Sequence, residues 1–201
     1  MKIFKFLALA LISLSILSCS SEKKDAKTPE TGTTTEVKKE TSISSAVKVY
    51  PSVSAEKPVG KLAADFTWNE NGKTVKFSEF TKGKYVLLNF WGTWCPPCRR
   101  ELPDLVAISK EMESKNLVVL GVALEQVQTM NEAVNVVSNF WTKNGLSYPI
   151  VIGSGELAEA YGGIEAVPST FLINTKGEIV QKIVGGRDKA GFMAELSKMM
   201  K

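Results

Sequence analysis

The chain has 201 residues, 44% of them hydrophobic and 23% charged, enough to bury one sizeable core. Its formal charge of +4, two lower without Lys2 and Lys5, is too small and too scattered for a nucleic-acid surface. It has no histidine, which excludes Ser-His-Asp and Cys-His catalysis, histidine-ligated zinc or iron, and haem attachment through CxxCH, where Arg99 replaces the histidine.

Lys2 and Lys5 give a positive start, and Phe6 to Leu17 is an apolar run broken only by serines. A membrane-crossing helix needs about 20 such residues, so this shorter run reads as the core of a signal peptide. It ends in Ile16–Leu17–Ser18–Cys19, which resembles the lipobox of bacterial lipoproteins, with Cys19 as the residue that would be cleaved to and acylated. A plain secretory signal or an uncleaved anchor is the alternative. In each case the rest of the chain leaves the cytoplasm. Residues 1–18 are therefore assigned to the signal, 19–57 to a tether and 58–201 to the folded domain. From Ser20 to Lys57 there is no Trp, Phe or Leu, and Ser, Thr, Lys and Glu prevail. Such a segment cannot bury enough apolar surface to offset its ordering entropy, and as a coil it would reach roughly 35 Å.

Ala64 to Trp68 and Lys73 to Phe77 read as strands around the turn Asn69–Gly72, whose Asn-Gly pair favours a hairpin. Tyr85 to Phe90 is a nearly unbroken apolar run, as a strand covered on both faces would be. Pro97 to Ser114 reads as a helix with Leu102, Leu105, Val106, Ser109 and Met112 on one side and Pro103 as a kink. Leu117 to Ala123 is a second buried strand. Thr129 and Glu132 form a capping box opening a helix to Lys143, stopped by Gly145. Tyr148 to Ile152 is a strand and Glu156 to Tyr161 a short helix. Ser169 to Asn174 and Glu178 to Val184 bracket a tight turn, and Asp188 caps a helix reaching Met200. This order implies an α/β fold, a mixed sheet with helices on both faces. Neither a GxGxxG nor a GxxxxGK[ST] phosphate loop is present.

Two of the three cysteines lie in Trp94–Cys95–Pro96–Pro97–Cys98. Cys95 stands at the N-cap of the helix that the prolines begin, where free amides and the helix dipole favour a thiolate. It should have a lowered pKa and some exposure, with Cys98 tucked beneath. Closing so short a loop removes little entropy from the unfolded chain, so a bridge here would be a poor staple and is better read as labile. Zinc would need about four ligands, and neither a second CxxC nor a histidine is available.

With "NFWGTWCPPC", Pro103 five residues beyond Cys98, "AVPSTFLIN" and "GKYVLLNFW", the sequence from Pro58 onward resembles the thioredoxin superfamily, and more narrowly the extracytoplasmic TlpA/ResA-like thiol–disulfide oxidoreductases. The resemblance implies a thioredoxin-like fold with an added N-terminal β-hairpin. It makes Cys95 the attacking thiol, Cys98 the resolving thiol, and Val167–Pro168 a cis peptide facing them, with the Val167 backbone pairing to a bound polypeptide. Pro96 and Pro97 shape the mouth of that site, and Trp94 would cover it and pack a substrate, whereas Trp91 reads as core. Glu101, one turn past Cys98, matches a glutamate of the ResA-like members, while Asn89 replaces thioredoxin's buried aspartate. Glu101 is thus the expected proton acceptor for Cys98; the alternative is a solvated glutamate paired with Arg99 or Arg100.

The implied activity is reduction of disulfides in exported proteins, with apo-cytochrome c among the clients and a membrane electron donor of the CcdA/DsbD type. No metal or non-protein cofactor is expected beyond the Cys95–Cys98 disulfide. Rivals are a disulfide-donating oxidant, a non-enzymatic binding lipoprotein and a peroxiredoxin-like peroxidase. The last normally needs Thr three residues before its cysteine, where Gly92 stands here.

Overall fold

The computed structural model describes residues 47–201, so the signal-peptide reading and Cys19 lie outside the described residues. The strands are β1 Val49–Ala55, β2 Phe66–Glu70, β3 Lys73–Lys76, β4 Tyr85–Trp91, β5 Leu117–Ala123, β6 Ile150–Ile152, β7 Ser169–Ile173 and β8 Ile179–Val184. The helices are α1 Phe77–Phe80, α2 Pro96–Glu111, α3 Met130–Lys143, α4 Gly155–Ala160 and α5 Lys189–Met199.

Most expected elements are present within a residue or two, and the shifts have local causes. β2 starts at Phe66 because the Asp65 carboxylate accepts from both Phe66 N and Ser78 N, pinning the chain before the ladder begins. β6 starts at Ile150 rather than Tyr148 because Pro149 has no N–H for the ladder and offers only its carbonyl, which Gly121 N engages. The β2–β3 turn places Asn71 and Gly72 at φ 53° and 84°, the left-handed pair that a tight hairpin needs. Thr129, Ser154 and Asp188 each accept from a backbone N–H three residues on, capping α3, α4 and α5. Helix α2 continues through Pro103, which is exposed.

One expectation is corrected. Residues 49–55, assigned to the tether, form β1 and lie inside the sheet, whose order is β3-β2-β1-β6-β5-β4-β7-β8. Val49–Pro51 pair in parallel with β6; Ser52–Ala55 then pair antiparallel with β2, across a register shift. Pro51 is tolerated because it sits where the strand changes partners. Val47, Val49 and Tyr50 were the apolar signal within an otherwise polar stretch, and all three pack into the two cores.

β1, β6, β5 and β4 run parallel, and antiparallel strands flank them on both sides. On one face α2, α3 and α5 bury Leu102, Leu105, Ile108, Val137, Phe192 and Leu196 against Leu87, Val119 and Ile150. On the other, α1 and α4 bury Phe77 and Leu157 with Phe66, Trp68, Phe90 and Phe171. β4 is central, with β5 on one side and β7 on the other, and it ends where α2 begins. The sheet thus fixes the mouth of α2 beside the start of β7.

Candidate active site

Beyond β4 the chain turns through Gly92–Thr93–Trp94, with Cys95 N donating to Gly92 O at 3.1 Å. Cys95 is the N-cap of α2 (φ −95°, ψ 107°), and Pro96 and Pro97 occupy the first helical positions. Because neither proline has an N–H, the first amide the helix offers is that of Cys98. It donates to Cys95 Sγ at 3.2 Å. Cys95 and Cys98 form a disulfide with Cα atoms 5.3 Å apart. When that bond opens, the Cys98 amide and the positive end of α2 already face the Cys95 sulfur, an arrangement that favours the anion. Cys98 is fully buried, as expected, but Cys95 is only 2% exposed, less than its position at a helix mouth implied. The Val167 carbonyl oxygen lies over it, 3.5 Å from Sγ.

The Val167–Pro168 peptide is cis. Pro168 is buried and Val167 half-buried, and the Pro168 carbonyl accepts from Gly185 N at 2.8 Å, joining the turn after β8 to this loop. Trp94 is 45% exposed, yet its indole is fixed: Nε1 donates to Leu124 O at 2.8 Å. A Cβ on Gly92 would come within 2.5 Å of that Nε1, so residue 92 can carry no side chain while the indole lies there. Trp91, in contrast, is fully buried against Phe140. Pro96 is exposed and Pro97 half-buried beside the disulfide.

Glu101 is not the solvated glutamate of the alternative reading. It is 2% exposed on the inner face of α2, three residues past Cys98, and its hydrogen bonds go to neither Arg99 nor Arg100. Asn89 Nδ2 donates to Oε1 at 2.8 Å and the Arg187 backbone N–H donates to Oε2 at 3.2 Å. Burial pushes the carboxyl up to about 7, although the bonds from Asn89 and Arg187 pull the other way. A group poised there can hold or release a proton at neutral pH.

Other members of the site were less legible. Asn89 also donates to Thr170 Oγ1 at 3.0 Å, so one amide ties α2, β4 and β7 together beneath the cysteines. A polar residue in the apolar run YVLLNF was its signal. Glu125, after β5, accepts from Thr93 N at 2.8 Å and Thr93 Oγ1 at 2.7 Å, clamping the turn that carries Trp94. Nothing local to Glu125 announces that role, because its partner is 32 residues away.

Residues 59–182 match the model of the AhpC/TSA family. Among relatives, the thiol–disulfide oxidoreductase ResA of Halalkalibacterium halodurans is 39% identical over 129 residues, 63% of this chain and 69% of that protein. A thioredoxin-family thiol:disulfide interchange protein from Chlorobium tepidum superposes with a TM-score of 0.61 at 32% identity, over 72% of this chain and 99% of that one. An exposed lipoprotein thioredoxin of Streptococcus pneumoniae gives 0.55 at 32% identity, over 67% and 98%. With a disulfide at the mouth of α2 and a cis-proline loop over it, the chain belongs to the AhpC/TSA family and is a thioredoxin-like thiol–disulfide oxidoreductase of the ResA type.

Proposed function

We propose that the protein is a lipid-anchored, extracytoplasmic reductant of disulfides in exported proteins. The observation that carries this reading is Glu101, a buried carboxyl ionising near neutrality one helical turn behind Cys98. It supplies a base at the thiol that must be deprotonated to finish the reaction.

In the proposed cycle, the Cys95 thiolate attacks one sulfur of a client disulfide; the client S–S bond breaks, and its other sulfur leaves as a thiolate. Cys98, giving its proton to Glu101, attacks Cys95 Sγ. The Cys95–Cys98 bond forms, the mixed disulfide breaks, and the client's second sulfur leaves as a thiolate; the two client sulfurs take their protons from water, and the client carries two more electrons. A membrane carrier of the CcdA/DsbD type would return those electrons. The cycle uses only the two sulfurs and calls for no further cofactor. Val167, with Pro168 fixing its orientation, would pair with the client backbone, and Trp94, Pro96 and Pro97 would form the surface beneath it. Apo-cytochrome c is one client of suitable chemistry.

Anchoring rests on the signal-like start and Cys19, supported by the likeness to the pneumococcal exposed lipoprotein thioredoxin. The direction of electron flow is tested by the Cys95–Cys98 reduction potential, together with insulin reduction driven by dithiothreitol. A potential below about −200 mV and activity lost in Cys95→Ser are expected; a value near about −120 mV would instead mark a disulfide donor. Hydrogen peroxide consumption at a comparable rate would favour a peroxidase.

A further inference from the structure

Glu101 must shed each proton it takes, although it is 2% exposed. Its Oε1 faces inward to Asn89, leaving Oε2 as the outward oxygen. Glu101 is one of the residues lining a cleft of about 310 Å³, with Pro97, Arg100, Asp104, Gly186, Arg187 and Asp188, and Oε2 is the oxygen beside two of them, Gly186 and Arg187. The two glycines of the adjoining turn differ. Gly185 has φ +84°, so its backbone demands glycine. Gly186 has no such backbone requirement, and a Cβ there would meet Glu101 Oε2 at 3.5 Å, Pro97 O at 3.6 Å and Pro168 Cγ at 3.9 Å. These are ordinary contacts, so the fold would accept alanine; what a side chain would take is the space beside the carboxylate.

We infer that Gly186 keeps that cleft open, so that the Gly185–Arg187 turn is the route by which the proton taken from Cys98 reaches water. The inference rests on Glu101 being the base in the proposed cycle and adds a positioning role for two residues of the turn. Arg187 holds Oε2 through its backbone N–H, and Gly186 leaves the same oxygen wet. Water reaching Oε2 limits how far burial raises the carboxyl; a side chain at 186 would displace that water and make Glu101 harder to ionise. Several other groups share the site. Arg100 and Asp104 lie on α2, Arg187 and Asp188 precede α5, and Tyr148 precedes β6, its buried hydroxyl coupled to the Glu101 charge. Of these only Arg187 donates to the carboxylate, through its backbone.

The test uses the full, reduced chain and an aromatic disulfide that releases a coloured thiolate. The first release reports attack by Cys95, and the second reports resolution by Cys98. Gly186→Ala and Gly186→Val are compared with Glu101→Gln across pH. A carboxyl one unit harder to ionise leaves about tenfold less base below its midpoint. Gly186→Val should therefore slow the second release about tenfold there and move its pH midpoint upward, with Gly186→Ala between it and the parent. An unchanged second-release profile overturns the inference, as does equal slowing of both releases, which would mean mere obstruction of the disulfide. If Glu101→Gln keeps the parental rate and profile for the second release, the role of Glu101 itself falls, whatever Gly186→Val does.

Discussion

Glu101 is held by two hydrogen bonds that stabilise its charge, and still burial prevails, lifting it from 4.5 to about 7. The consequence for stability has a definite sign. Below about pH 4.5 the carboxyl is neutral both folded and unfolded, and the fold has its full stability from this group. As pH rises to about 7 the unfolded chain ionises it while the folded chain keeps the proton, so stability falls by up to about 3 kcal/mol. Denaturant titration of the oxidised protein should show this loss between acid and neutral pH. Glu101→Gln should remove it, leaving that variant more stable than the parent above pH 7; an unaltered slope would mean that Glu101 titrates normally. The sequence made part of this environment readable. The i, i+3 spacing put Glu101 on the face of Cys98, and Asn89 stood out in an apolar strand. The Arg187 amide did not, because it is a backbone group 86 residues away with no side-chain signature.

Among elements, α2 was legible because Pro-Pro after a capping cysteine specifies where a helix starts, and β4, β5 and β7 because buried strands are nearly all apolar. β1 was missed for a matching reason. Its seven residues, VYPSVSA, mix one proline and two serines with the apolar residues, and its second half has outward positions. What makes it a strand is non-local pairing: β6 on one side, then β2 on the other. A chain beginning at Pro58 would lack the strand that connects the β2–β3 hairpin to β6. Residues 47–201 should give one cooperative thermal transition by circular dichroism, and residues 58–201 a lower, broader one with exposed apolar surface. Equal melting of the two would mean that β1 adds nothing to the core. The Glu125–Thr93 clamp belongs to this scale as well, since it fixes the turn between β4 and α2 from the far end of β5.

At the scale of the whole molecule, the sheet divides the interior into two cores, and the site lies at the end of the one beneath α2. The other carries the hairpin and the short helices and meets the site at Val167, which packs against both cores. Anchoring would add a constraint that the folded part alone does not carry: a lipid at Cys19 would confine the disulfide to a layer near a membrane, where an electron carrier would reach it. Cys19→Ser, expressed in a bacterial host that processes lipoproteins, should lose labelled acyl chains and leave the membrane fraction while keeping insulin-reducing activity in solution. Retained acylation would refute that anchor. The division of labour between the two sulfurs is tested most directly by trapping. The Cys98→Ser protein, reduced and mixed with an oxidised client, should accumulate a heterodimer linked through Cys95, and the Cys95→Ser protein should accumulate almost none. Equal trapping by both, or none by either, would contradict it.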